Sequence, residues 1–321
     1  MTLTLALIDE ARRALRGVIH HTPLERSGPL SEALGVDVWL KLEGFQVTGS
    51  FKVRGALFRL AQLSGDERAR GVVTCSAGNH GKGVAWAAKR LGVRAIIHVP
   101  STIDAAKYAG MVACGAEVRV SDQPGYDETE VIARAHAAEA GLPFVSAFDD
   151  PWIMAGNGGT MAAEVLEDLP EARSFVLPVS GGGLAAGFAR VVTARVPEPT
   201  IVAVQHEGSP GLLRSLERGA AVTAMPAVDT LAGGLEGGIG RGPFEVLRDR
   251  VGRVTLVTEA EIHDAFRWMI DTHQLLIEPT AAATVAACRS GRVGDLPGPV
   301  VVVVSGRNVG GDTVRALLRA S

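Results

Sequence analysis

In the segment Ser50-Phe51-Lys52-Val53-Arg54-Gly55-Ala56, one lysine stands where a loop gives way to a helical pattern. A strand-like run, Val38 to Glu43, precedes it, followed by a loop holding Gly44, Thr48 and Gly49. Beyond it, Leu57, Leu60, Ala61 and Leu63 are spaced for one face of a helix. At a helix N-terminus the positive end of the dipole opposes an ammonium charge, which lowers the pKa of Lys52. An amine tuned in this way forms an imine with an aldehyde near neutral pH. Taken alone, Lys52 and Arg54 read more ordinarily as two surface cations.

Two further motifs weigh against that ordinary reading. Thr74-Cys75-Ser76-Ala77-Gly78-Asn79-His80-Gly81 lies directly after a predicted strand and before a helix, where ligands bind in parallel α/β sheets. Ser76, Asn79 and the free N–H groups of the helix start can hydrogen-bond an anion or a phenolate oxygen. Helix capping explains one such polar residue, but it does not require Ser, Gly, Asn, His and Gly together. Val179-Ser180-Gly181-Gly182-Gly183-Leu184-Ala185-Ala186-Gly187 is again strand, glycine loop and helix. Its N–H groups make a phosphate cradle. The same residues fit the G-x-G-x-x-A dinucleotide fingerprint, with Glu207 after the next strand as a ribose acceptor, so the loop alone leaves both ligands open.

The elements around these motifs alternate. Predicted strands are Val72–Cys75, Ala95–Val99, Val118–Val120, Phe175–Leu177, Ile201–Val204 and Val300–Val304, with helical patterns over Gly83–Leu91, Ala105–Cys114, Tyr126–Ala140 and Leu184–Val196. Continuous apolar strands separated by helices imply α/β architecture with parallel sheets covered on both faces. The compact βα units suggest a small α/β domain over 51–148, inserted in a larger domain formed by 1–50 and 149–321. A chain of 321 residues with 39 glycines and only 5% aromatics suits tight α/β packing and close backbone approach to a ligand.

Composition excludes several functions. A net charge of −3 without a basic cluster gives no support to nucleic-acid binding. No apolar run nears the roughly 20 residues of a membrane span, and Met1 to Leu15 is not a signal peptide. Cys75, Cys114 and Cys288 are too far apart in sequence to pair as metal ligands, and no metal is expected. These features imply a reduced, cytoplasmic protein.

A phosphate loop, a lysine for an aldehyde and an asparagine for a ring oxygen together describe pyridoxal 5′-phosphate better than NAD. From His21-Thr22-Pro23-Leu24 to its C-terminus the chain resembles the serine/threonine dehydratase family of fold-type II pyridoxal-phosphate enzymes. The Ser50–Ala56 segment is similar to the family's lysine motif, Ser76–His80 to its asparagine loop and Ser180–Leu184 to its phosphate loop. Val303-Val304-Ser305-Gly306-Arg307-Asn308 is similar to the terminal strand whose serine faces the pyridine nitrogen.

The resemblance implies two parallel-sheet domains of the tryptophan synthase β-like architecture, assembled as a homodimer. It implies that Lys52 carries the cofactor as a Schiff base and, once freed, takes the α-proton of an amino-acid substrate. Phe51, Asn79, Ser180, Gly181, Gly182, Gly183, Leu184 and Ser305 would hold the cofactor. Ser76, Ala77, Gly78 and His80 would meet the substrate, with Arg307 and Glu278 as further candidates. The implied reaction is β-elimination from L-threonine or L-serine, giving a 2-oxo acid and ammonia. A hydroxyl such as Ser305 cannot keep the ring nitrogen protonated as a carboxylate would, which suits elimination over transamination.

Departures from the family pattern bear on the substrate. Ala77 stands where serine racemases of the family carry a second serine, so dehydration is expected over racemisation. Val204-Gln205-His206-Glu207-Gly208-Ser209-Pro210 lacks the paired acids of a divalent-metal site. Arg307 replaces a glycine and would reshape the pocket, and Leu231-Ala232-Gly233-Gly234-Leu235 lacks the usual aspartate. These variants also resemble dehydratase-like enzymes of hydroxyectoine utilisation, and 3-hydroxyaspartate remains an alternative substrate. The chain ends soon after Ser305, which implies no C-terminal regulatory domain.

Overall fold

The computed structural model describes residues 2–319, Ala106 by its backbone alone. Among the described residues nine strands form two sheets: β1 (Leu24–Arg26), β2 (Val38–Leu42), β3 (Val72–Cys75), β4 (Ala95–Val99), β5 (Glu117–Val120), β6 (Ser174–Pro178), β7 (Thr200–His206), β8 (Arg253–Val257) and β9 (Val300–Val304). The larger sheet has the order β1-β2-β9-β6-β7-β8 and is parallel except for β1, which pairs antiparallel with β2. The smaller sheet, β3-β4-β5, is parallel and gains a bridge between Val73 and Phe144. Parallel architecture and the strands expected from their apolar runs are present. The short β1 and the mixed, partly exposed β8 carried no such signal.

Alternation along each central strand feeds two cores. Phe175, Leu177, Ile201, Ala203, Val301 and Val303 face one side of the larger sheet, and Val176, Val202, Val204, Val300, Val302 and Val304 face the other. The valine run of β9 is therefore buried on both faces, as a central parallel strand requires. The first core also takes in Leu57, Phe58, Val72, Val84 and Ala87, so apolar packing runs without a break from the larger sheet to the edge of the smaller one.

Small residues set how closely the site-bearing helices approach. The helix Lys52–Ala61 crosses the helix Asn79–Leu91 at Gly83, where a β-carbon would lie 3.2 Å from the backbone of Lys52 and Val53. On its other side it meets a π-helical turn, Ala155–Gly159, whose Asn157 Oδ1 accepts from the Gly55 N–H at 2.8 Å. That turn packs in turn on the helix Gly183–Arg195, where a β-carbon on Gly158 would run into the carbonyl of Leu184. The lysine, the asparagine loop and the glycine loop are thus held at fixed spacing by backbone contact.

Candidate active site

Three of the four motifs emerge from the carboxyl ends of neighbouring parallel strands. β2 leads through a turn at Glu43–Phe45 to Lys52, β6 leads to the glycine loop, and β9, between them, leads to Ser305. Ligands in α/β proteins occupy this end of the sheet. The fourth motif follows β3 of the smaller sheet and is joined to the others by side-chain hydrogen bonds.

Lys52 is the first residue of its helix, and Phe51 immediately before it donates its N–H to the Ser305 carbonyl at 3.2 Å. The Lys52 ammonium donates to the Ala147 carbonyl at 2.9 Å and lies 5.3 Å from the centre of the Phe51 ring. Its pKa falls from 10.5 to about 8, driven by burial and opposed by the nearby carboxyl of Glu278. The direction agrees with the sequence reading, but the cause is loss of water, which a helix start does not reveal.

Arg54, two residues further, is no surface cation. It is fully buried, with Nε and Nη2 donating to Glu43 at 2.8 and 2.9 Å and both terminal nitrogens donating to Glu164 at 2.6 and 2.7 Å. Lys41 completes the group 3.0 Å from Glu164. Lys41 and Arg54 are thus paired with carboxylates beneath the Lys52 helix, as buried charges require when no metal holds them.

Asn79 opens its helix, with Gly78 before it. Its Nδ2 donates to Glu278 Oε1 at 2.7 Å, and its Oδ1 accepts from Asn308 Nδ2 at 2.7 Å. Glu278 caps the helix Pro279–Arg289 and donates its own N–H to the Gly306 carbonyl at 3.0 Å. Burial raises its pKa from 4.5 to about 7, against the pull of Asn79, Lys107, Lys52 and Lys82. The site thus joins an amine and a carboxyl that both titrate near neutrality.

The remaining expected residues fall around this centre. Ser76 is buried, and its hydroxyl accepts from the Gly78 N–H at 3.1 Å; Ala77 and Gly78 are half-buried. The His80 ring turns to Thr74 and Val145, and burial with the charge of Lys52 lowers its pKa to about 3. Ser305 is buried at the end of β9. Ser180 donates its hydroxyl to the Glu236 carbonyl at 2.6 Å, Gly182 adopts φ +84°, and Gly183 and Leu184 start the following helix. Gly181 lies flat on Phe148, whose ring a β-carbon there would meet at 2.3 Å. Arg307 is exposed on the rim, its guanidinium 5.5 Å from the centre of the Phe45 ring.

Two residues that sequence reasoning passed over belong to the centre. Lys82 Nζ donates to Asn308 Oδ1 at 2.8 Å, and Asn308 Nδ2 also donates to the Thr48 carbonyl at 2.9 Å. Lys82 lies three residues beyond Asn79 on the same helix face and Asn308 three beyond Ser305, so position relative to a motif was the available signal. Elsewhere His206 and His263 bond the carboxylate of Glu259, and His21 bonds Asp168. Among the described residues no cluster of three or more His, Cys, Asp or Glu side chains is arranged to hold a metal.

Comparison with known proteins agrees with this geometry. A model of the family described as "Pyridoxal-phosphate dependent enzyme" matches residues 15–306. An L-threonine ammonia-lyase of Thermotoga maritima is 38% identical over 309 residues, covering 96% of this chain and 76% of that protein. The solved structure of maize serine racemase superposes with a TM-score of 0.91 at 29% identity, covering 99% of this chain and 97% of the other. Threonine deaminase isoform 2 of Solanum lycopersicum gives a TM-score of 0.90 at 30% identity, covering 99% and 94%. With a family match across most of its length, the chain belongs to the pyridoxal-phosphate dependent enzyme family.

Proposed function

We propose that the protein is an ammonia-lyase that removes the β-hydroxyl of L-threonine or L-serine, yielding a 2-oxo acid and ammonia. The observation that carries the reading is Lys52, an amine of pKa about 8 at the junction of the asparagine loop and the ends of β2, β6 and β9. Relatives named L-threonine ammonia-lyase support the substrate class.

The residues present fit pyridoxal phosphate. Gly181–Gly183 offers a side-chain-free approach to the helix start for the phosphate, with Gly181 pressed on Phe148. Lys52 supplies the amine, Phe51 an adjoining apolar ring, Asn79 a donor for the ring oxygen and Ser305 a hydroxyl for the ring nitrogen. Ser50 Oγ is buried without a hydrogen-bond partner beside this group, polar capacity that a bound molecule can use. When bound, the cofactor supplies an aldehyde for imine exchange and a ring that delocalises the electron pair left at the substrate α-carbon.

This chain's residues do the rest. Lys52, half neutral at pH 8, accepts and returns a proton at the α-carbon. Ser76 and the N–H groups of residues 77–80 receive the substrate carboxylate at a helix N-terminus. The His80 imidazole stays neutral and faces the smaller sheet, so residue 80 contributes through its backbone. Ala77 offers no hydroxyl for proton delivery from the opposite face, and Arg307 meets the outer end of the substrate. The proposal includes the domain division 1–50 with 149–321 against 51–148, and a cytoplasmic homodimer. The two separate sheets support the domain division; Cys75, Cys114 and Cys288 are free, and no helix among the described residues is long and apolar enough to cross a membrane.

Incubating the purified protein with each enantiomer of serine and threonine tests the reading. The expected result is 2-oxo acid and ammonia from the L-enantiomers, with little of the mirror-image amino acid. Racemisation comparable to ammonia release would overturn the role of Ala77, and absence of 2-oxo acid would overturn the reaction.

A further inference from the structure

Asn79 can serve a ring oxygen only if its amide presents N–H2 rather than C=O to the cofactor, and nothing in the asparagine itself sets that choice. The surrounding bonds do. A lysine ammonium has three donors and no acceptor. Lys82 Nζ, 2.8 Å from the Asn308 side chain, therefore requires the oxygen of that amide to face it. The other end of Asn308 meets the Thr48 carbonyl at 2.9 Å, an acceptor only, which independently requires nitrogen there. Asn308 Nδ2 then faces Asn79 at 2.7 Å, and Asn79 must answer with its oxygen. Its nitrogen is left pointing to Glu278 Oε1 at 2.7 Å.

The backbone reserves space for this chain of bonds. Gly49 adopts φ +79°, and a β-carbon on it would lie 2.6 Å from Asn308 Oδ1. The Arg307 N–H bonds the Gly49 carbonyl at 2.9 Å, which fixes the segment carrying Asn308 against the loop before Lys52. Four side chains from three separate segments thus run in one direction, from a pure donor to a carboxyl acceptor.

We propose that Lys82 and Asn308 are positioning residues that fix the polarity of the Asn79 amide, so that its donor faces the cofactor's ring oxygen. The proposal rests on the reading of Asn79 as a cofactor contact. Asn308→Asp is the informative variant, because it keeps an acceptor for Lys82, now as an ion pair, while removing the donor to Asn79. A merely structural role predicts a lower melting temperature, because the Thr48 carbonyl also loses its donor, with the absorption band of the bound cofactor unmoved. The polarity role predicts that the apoprotein takes up pyridoxal phosphate about tenfold or more weakly, with a displaced visible absorption band whatever the change in melting temperature.

Lys82→Met is expected to shift the same two readouts, and Lys82→Arg to restore them. Wild-type affinity and spectrum in both Asn308→Asp and Lys82→Met would overturn the proposal. A melting temperature that falls while the absorption band stays in place would do so too, by showing that these residues only hold the fold. Asn79→Ala separates the two possible failures. If it disturbs the band while Asn308→Asp does not, the polarity role alone is wrong. If neither disturbs it, the reading of Asn79 is wrong and the polarity role falls with it.

Discussion

Asn79 Nδ2 and Glu278 Oε1 lie 2.7 Å apart, joining residues 199 positions distant in the chain. One opens a helix beside the smaller sheet, and the other caps a helix packed on the larger sheet. A buried carboxyl therefore sits between an amide and the Lys52 amine, and its charge state follows from burial more than from its partners.

That burial has a measurable consequence for the cofactor-free protein. Glu278 titrates at about 7 when folded and near 4.5 when exposed. Its contribution to stability is complete below about pH 4.5 and is lost as pH rises through about 7, because the unfolded chain gives up the proton first. Glutamine cannot ionise. Wild type should therefore lose about 3 kcal/mol relative to Glu278→Gln across that window, read from urea unfolding at several pH values. A difference that stays constant from pH 4.5 to 7 would show that Glu278 ionises as freely as an exposed acid.

The lowered pKa of Lys52 predicts the pH dependence of cofactor uptake. With a pKa of about 8, roughly one amine in ten is neutral at pH 7. At the ordinary value of 10.5 the fraction would be roughly one in three thousand. Uptake of pyridoxal phosphate by the apoprotein, followed by stopped-flow absorbance, should accelerate with pH and level off above about 8. A rate still climbing tenfold per pH unit beyond pH 9 would contradict the shift.

The glycine loop predicts a packing effect. A methyl group on Gly181 would lie 2.3 Å from the Phe148 ring, which cannot retreat without disturbing the start of the Gly183 helix against its own carbonyl. Gly181→Ala should cost roughly 1–3 kcal/mol of stability and weaken cofactor binding as the loop shifts. Adding Phe148→Leu should recover part of both in thermal unfolding and cofactor titration. No loss in the single variant would mean the loop has room that the structure denies it.

Much of this was legible because strand, loop and helix follow one another locally. Asn79, Gly181–Gly183 and Ser305 stand within a few residues of a strand end and Lys52 follows β2 across one loop, and parallel pairing of β2, β9 and β6 turns sequence position into spatial proximity. Tertiary bonds were not legible. Asn308 and Lys82 matter through each other, across 226 positions, and Arg54 reads as an exposed cation until Glu43 and Glu164 close around it. The depressed pKa of Lys52 was foreseen from the helix start, but burial causes it, and burial depends on the whole packing of the Lys52 helix against Gly83 and the 155–159 turn. β8 escaped notice because its pairing with β7 lies at the sheet edge, where Arg253 is exposed and Val254 and Leu256 are only half-buried.

The central claim is that Lys52 is the residue that holds the cofactor. Borohydride reduction of the purified yellow protein, followed by proteolysis and mass spectrometry, locates the attachment directly. The account predicts a pyridoxyl group on the peptide containing Lys52, and neither visible absorbance nor label in Lys52→Ala. Label on Lys82 or any other lysine, or a Lys52→Ala protein that stays yellow and is still labelled, would contradict it.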